Sequence, residues 1–150
     1  MSTVRGEPLA GLRPTSPTRT THTLAQWFCR IVGLVLVVIG IAGFFVNGSF
    51  DTGAGVPGDD LLGFEVNGWH NLVHLGSGLL LMLAAPSAGA AKAITLVFGL
   101  TYVAVAVIGL IDGDDVVTLV SINDADNVLH VVLAALAVLV GLASRGARHP

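Results

Sequence analysis

Charge is what this chain has least of. Charged residues fill 11% of its 150 positions and hydrophobic residues 53%, against about 25% and 45–50% in an ordinary soluble domain. Seven Lys and Arg and ten Asp and Glu cannot cover the surface of a water-soluble fold of this length. The shortage is also local. Residues 31–50, 66–91, 93–111 and 127–144 contain no Asp, Glu, Lys or Arg, in runs of 20, 26, 19 and 18 residues. A helix needs about 20 apolar residues to cross the hydrocarbon core of a bilayer. The chain therefore reads as a membrane protein with four candidate spans, which disfavours a soluble enzyme or a nucleic-acid binder. The one cysteine, Cys29, excludes an intrachain disulfide and a thiolate metal cluster within one chain. There is no Gly-Lys phosphate loop, no Ser nucleophile elbow and no pair of intramembrane carboxylates, so an enzyme is the less favoured class.

What is present organises the chain. Residues 1–23 are rich in Thr, Pro, Ser and Arg and read as a disordered basic tail. A signal peptide is the competing reading, but the apolar run continues to Phe50, too long for its hydrophobic region. Residues 24–144 read as the transmembrane domain, with helices over 24–46, 66–85, 93–111 and 127–143, and residues 145–150 as a second tail. All seven basic residues lie in the tails, at the start of the first helix (Arg30) or in the turn between the second and third (Lys92), while nine of the ten acids lie in the loops 47–65 and 112–126. Basic segments stay inside. Both termini are thus expected in the cytoplasm and both acidic loops outside.

The two acidic loops end in matching segments 56 residues apart, Asn67-Gly-Trp-His-Asn71-Leu-Val-His74 and Asn123-Asp-Ala-Asp-Asn127-Val-Leu-His130. The expected fold is all-α, with four transmembrane helices in two hairpin repeats in the same orientation. Parallel repeats place ligand sites at their interface. His74 and His130 lie inside uncharged windows, where an imidazole turns to the protein interior and seeks a partner. Facing histidines can hold a haem iron or a divalent metal, pass a proton, or simply join helices by hydrogen bonds. Asn71 and Asn127 precede them by three residues and share their faces; capping of a helix start is their plainer role, as it is for Asp126. Asp126 precedes His130 by four and could orient its ring. His70 precedes His74 by four and is expected nearer the interface, exposed. Ala137 and Gly141, with Gly33, Gly40, Gly43, Gly76 and Gly78, would let helices approach closely. The run Asp112-Gly-Asp-Asp115 lacks the spacing of a calcium loop.

The segments His70-Asn71-Leu-Val-His74-Leu-Gly-Ser-Gly78 and Asp126-Asn127-Val-Leu-His130, with a basic N-terminal tail and four spans, resemble the small bacterial membrane proteins grouped as domain of unknown function 4383. The resemblance covers about residues 25–143. It implies a plasma-membrane protein, mainly of actinobacteria, without an established activity. That family carries a small residue four after each histidine. Gly78 meets the pattern and Ala134 departs mildly from it.

Two classes of function remain open. One is a non-enzymatic membrane protein whose Asn and His residues serve helix packing or partner binding, without a cofactor, in contact with lipid and with a second copy or another membrane protein. The other binds haem or a metal through His74 and His130, or passes a small solute or a proton.

Overall fold

Each helix starts at a side-chain cap. Thr23 and Gln26 form a reciprocal capping box, Gln26 N–H donating to Thr23 Oγ1 at 3.3 Å and Thr23 N–H to Gln26 Oε1 at 2.9 Å. From it runs α1, Leu24–Val46. Asn67 caps α2, Gly68–Ala84, and Ser87 caps α3, Ala88–Asp112. Asn123 caps α4, Asp124–Ala143, and Asp126 reaches back to its N–H. These caps satisfy backbone donors that a helix start leaves free. They also move boundaries. Ser87 starts α3 five residues ahead of the apolar window, so Lys92 lies inside the helix, and α4 takes in Asp124 to Asp126. The computed structural model describes residues 21–145. Most of the basic tail, with Arg5, Arg13 and Arg19, and also Arg148 and His149, lies outside them.

The acidic loops are more ordered than their composition suggests. Strands β1 (Asp59–Leu61) and β2 (Phe64–Val66) pair antiparallel with Asp59 opposite Val66, and β3 (Asp115–Val116) pairs with β4 (Val120–Ser121). Pairing of Phe64–Val66 also delays the start of α2, which was expected from residue 66. Glycine or asparagine would mark such turns. Gly63, at φ 92°, marks the first turn beside Leu62 at 59°, but Val117 and Thr118 hold φ of 50° and 60° in the second, so the sequence carries little signal there. The two hairpins are small additions to an otherwise all-helical chain.

The helices pair chiefly as α1 with α2 and α3 with α4. The hairpins close one end. The other end is tied by polar bonds: Ala25 N–H donates to Ser144 Oγ at 2.7 Å, Gln26 Nε2 to Ala85 O at 3.0 Å, and Lys92 Nζ to Ser144 O at 2.9 Å. Large apolar side chains point outward on all four helices, among them Ile31, Leu83, Leu100 and Leu139. Small and polar residues point inward. This inverts the soluble pattern and suits a lipid surround, in which close packing replaces the hydrophobic drive between helices. Three helices, α1, α3 and α4, are long and apolar enough to cross a membrane, at 23, 25 and 20 residues. Helix α2 has 17 residues.

The buried stripes match in register. Ala25, Cys29, Gly33, Leu36, Gly40 and Gly43 of α1 are buried, and so are Ala91, Thr95, Gly99, Tyr102, Ala106 and Gly109 of α3, each 66 positions later. Asn71, His74, Gly78 and Leu81 of α2 are buried, and so are Asn127, His130, Ala134 and Ala137 of α4, each 56 positions later. A Cβ placed on Gly43 would overlap the amide of Asn71, and one on Gly109 that of Asn127. Gly76 is different: its face is open, with no atom within 4 Å of an added Cβ, so it permits no close approach.

Gly43→Ala and Gly109→Ala should therefore each destabilise the protein by about 1–3 kcal/mol, the usual range for overpacking. Gly76→Ala should be neutral or stabilising by up to about 1 kcal/mol, since alanine is the better helix former. Thermal unfolding of the three variants in one detergent measures the contrast. A loss at Gly76 equal to that at Gly43 would contradict it.

Candidate metal centre

The asparagines and histidines of the matching segments part company in space. Asn71 Nδ2 donates to Asn47 O, at the C-terminal end of α1, at 2.8 Å, and Asn127 Nδ2 donates to Gly109 O of α3 at 3.2 Å. Each asparagine thus ties its own helix to its pairing partner, and neither caps a helix start. The caps are Asn67 and Asn123, which recur in both segments but were not singled out as functional.

The histidines turn the other way. His70, His74 and His130 converge where the two helical pairs meet, and each is at least nine-tenths buried. One ligand atom from each lies within 4.8 Å of the others, less than one helical turn of about 5.4 Å. The ring centroids of His70 and His74 are 4.4 Å apart, and those of His70 and His130 6.0 Å. Tyr102 packs edge-on against His130 at 5.4 Å and stacks on Phe98 at 4.1 Å. His70 is the departure from the sequence reading. It is 2% exposed, because the hairpins fold over the first turn of α2.

Those hairpins fix its protonation. His70 Nδ1 lies 2.8 Å from Glu65 O on β2 and 2.9 Å from Ser121 O on β4. Carbonyl oxygens only accept, so Nδ1 carries the proton and Nε2 of the neutral ring keeps a free lone pair. This arrangement matches the outer-shell bond that orients a metal-binding histidine. His74 and His130 stand otherwise. Their Nδ1 atoms are buried and make no hydrogen bond among the described residues.

Asp126 holds the backbone of the same residue, Glu65, through its N–H. Its Oδ2 accepts Glu65 N–H at 2.9 Å and Asn123 N–H at 3.0 Å. No hydrogen bond joins it to the His130 ring among the described residues. The Glu65 side chain in turn accepts from Ser121 Oγ and from Gly58 N–H. Asp115 closes the second hairpin, accepting Thr118 N–H at 2.7 Å and Gly55 N–H at 2.8 Å, so the acidic run around it serves loop structure. Cys29 is buried beside Thr95, at the other end of the helices.

Two apolar grooves flank the histidines. One, of about 330 Å³, lies between α1 and α4 under the first hairpin; the other, of about 310 Å³, lies between α2 and α3 under the second. His74 and His130 line both. Asp126 lines only the first.

Apolar helices turned outward around a buried imidazole cluster define a helical protein of membrane type. The chain belongs to the family described as domain of unknown function (DUF4383), whose profile matches residues 26–143. No curated protein and no solved structure matches it.

If the two carbonyls hold His70 as described, ring ¹⁵N spectra of selectively labelled protein at neutral pH should show a protonated Nδ1 and an unprotonated Nε2 at His70. The opposite tautomer would show that the hairpin carbonyls do not set the ring.

Proposed function

We propose that this protein holds one divalent transition-metal ion at His70, His74 and His130 inside a membrane. The observation that carries the proposal is the convergence of three buried imidazoles, two of them with unpartnered buried nitrogens. A buried polar atom without a partner is costly in so apolar a setting. A metal ion would satisfy it, and imidazole suits zinc, copper, iron and nickel. Bonds of about 2.0–2.1 Å in tetrahedral geometry place ligand nitrogens about 3.4 Å apart. From a spread of at most 4.8 Å, small side-chain rotations reach that arrangement. Three neutral histidines leave the ion's charge uncompensated. The carboxylate of Asp126, buried behind His70, offers partial compensation. Haem fits less well. Among the described residues, no Lys or Arg lines either groove to meet the propionates. Packing is already served by the asparagines, which frees the histidines for binding.

The same reading places the protein in a bacterial plasma membrane with both termini cytoplasmic, and takes α2 as the fourth span. The 17 residues of α2 sit at the short limit for a crossing of about 17–25, and its outward Leu72, Leu79 and Leu83 are exposed as those of the other helices are. The constant offsets of the buried stripes support two hairpin repeats about an axis along the membrane normal.

Two measurements test these statements. Protein purified without chelator and loaded with Zn²⁺ or Cu²⁺ should retain about one ion per chain. His70→Ala, His74→Ala and His130→Ala should each weaken binding by more than the roughly 10–100-fold that loss of an outer-shell partner costs, and the double variants should lose little more. Asn71→Ala should keep the ion and lose only stability. A wild-type protein that retains no ion, with additive modest losses of stability on removal of the histidines, would retire the metal in favour of packing. For topology, single cysteines at Thr52 or Asp114 in a Cys29→Ala background should react with a membrane-impermeant thiol reagent in intact cells, and one at Ala90 should not. The reverse pattern would invert the orientation.

A further inference from the structure

The groove between α1 and α4 continues from the histidine cluster to the apolar exterior. Val35 and Val38 of α1 line it and are also exposed on the outer surface, so it opens sideways between the helices. Ala42, Leu129 and Leu133 complete its walls, and Leu62 overhangs it from the first hairpin. Leu62 is 89% exposed and held at φ 59°, an unfavourable place for a leucine in water and a natural one at a lipid boundary. Its volume of about 330 Å³ falls at the lower end of small-molecule sites, roughly 300–1,000 Å³.

The chemistry of the lining is one-sided. Among the described residues, His74, His130 and Asp126 are the only polar side chains on it, and no basic residue joins them. An anionic head such as a fatty-acid carboxylate or a phosphate would meet Asp126 with no basic side chain to offset the repulsion. A hydroxyl meets it well. The two backbone bonds to Asp126 both fall on Oδ2, which leaves the lone pairs of Oδ1 to accept a proton. A three-histidine ion keeps a further coordination position open for an oxygen ligand.

We infer that this groove binds a neutral, bilayer-soluble molecule with one hydroxyl head, of the alcohol or phenol class, its oxygen toward the histidine site and its proton toward Asp126. The ion at the inner end rests on the reading under Proposed function; the groove and the carboxylate do not.

The test uses full-length protein in lipid nanodiscs with Zn²⁺ bound and 4-octylphenol carrying a photoreactive diazirine in its alkyl tail. Cross-links should map to α1 and α4 around Val35, Ala42 and Leu133 and saturate at about one per chain. The methyl ether of the same tail should bind roughly tenfold or more weakly, because it leaves the Asp126 carboxylate without a donor. Ala42→Phe, which fills the groove, and Val38→Trp, which blocks its mouth at a position 56% exposed, should each weaken labelling by a similar factor while Zn²⁺ stays at about one per chain. Equal labelling by the phenol and its methyl ether would overturn the inference and leave a groove for lipid acyl chains. So would labelling unchanged in both variants. Retention of Zn²⁺ without selective labelling defeats the groove alone. Selective labelling of a protein that binds no Zn²⁺ supports the groove and defeats the metal.

Discussion

The amide of Asn71 reaching the last carbonyls of α1, with its counterpart from Asn127 to Gly109 of α3, is the interaction on which the rest of the architecture turns. In an apolar surround a polar side chain that misses its partner has no water to fall back on. The bond therefore fixes how deep and how close each helix sits against its neighbour, and the glycine opposite each amide is the condition for it. Once the asparagine is spent on the pairing helix, the histidine three residues later looks toward the other pair. The convergence of the imidazoles follows from that division of labour.

The hairpins then finish the site. Their strands are two or three residues long and add little core of their own. Their contribution is backbone: one carbonyl from each hairpin meets the His70 ring, and the N–H of Glu65, whose carbonyl is one of the two, meets Asp126. A loop that looked like solvated acidic chain is a lattice of side-chain-to-backbone bonds.

Much of this was legible in the sequence. Four uncharged windows of helical length announced the helices, and the recurrence of Asn, Asn and His pointed to His74 and His130. The helix starts were less legible, because caps at Ser87 and Asn123 act ahead of the apolar windows that mark the spans. The burial of His70 was not legible at all. It depends on carbonyls 5 and 51 positions away, and backbone groups leave no mark in the residue types. The second hairpin's turn was hidden likewise, since valine and threonine occupy its positive-φ positions, whereas Gly63 marks the first. One signal could have found His70. It stands at the third position after Asn67, as Asp126 does after Asn123, and that place in the second segment belongs to a capping box turned inward.

Matching places held by unlike residues have an arithmetical consequence. Two identical helical pairs related by a two-fold axis can offer ligands only in even numbers. His70 and Asp126 occupy corresponding places, 56 positions apart, and both clasp the backbone of Glu65, yet one is an imidazole and the other a carboxylate. Joining the two pairs in a single chain frees each to differ, and the centre presents three nitrogens with one acid behind them. On the proposed metal reading, an odd ligand set, with a handedness and a preferred side of approach, is open to a covalently joined pair and closed to a symmetric dimer of halves.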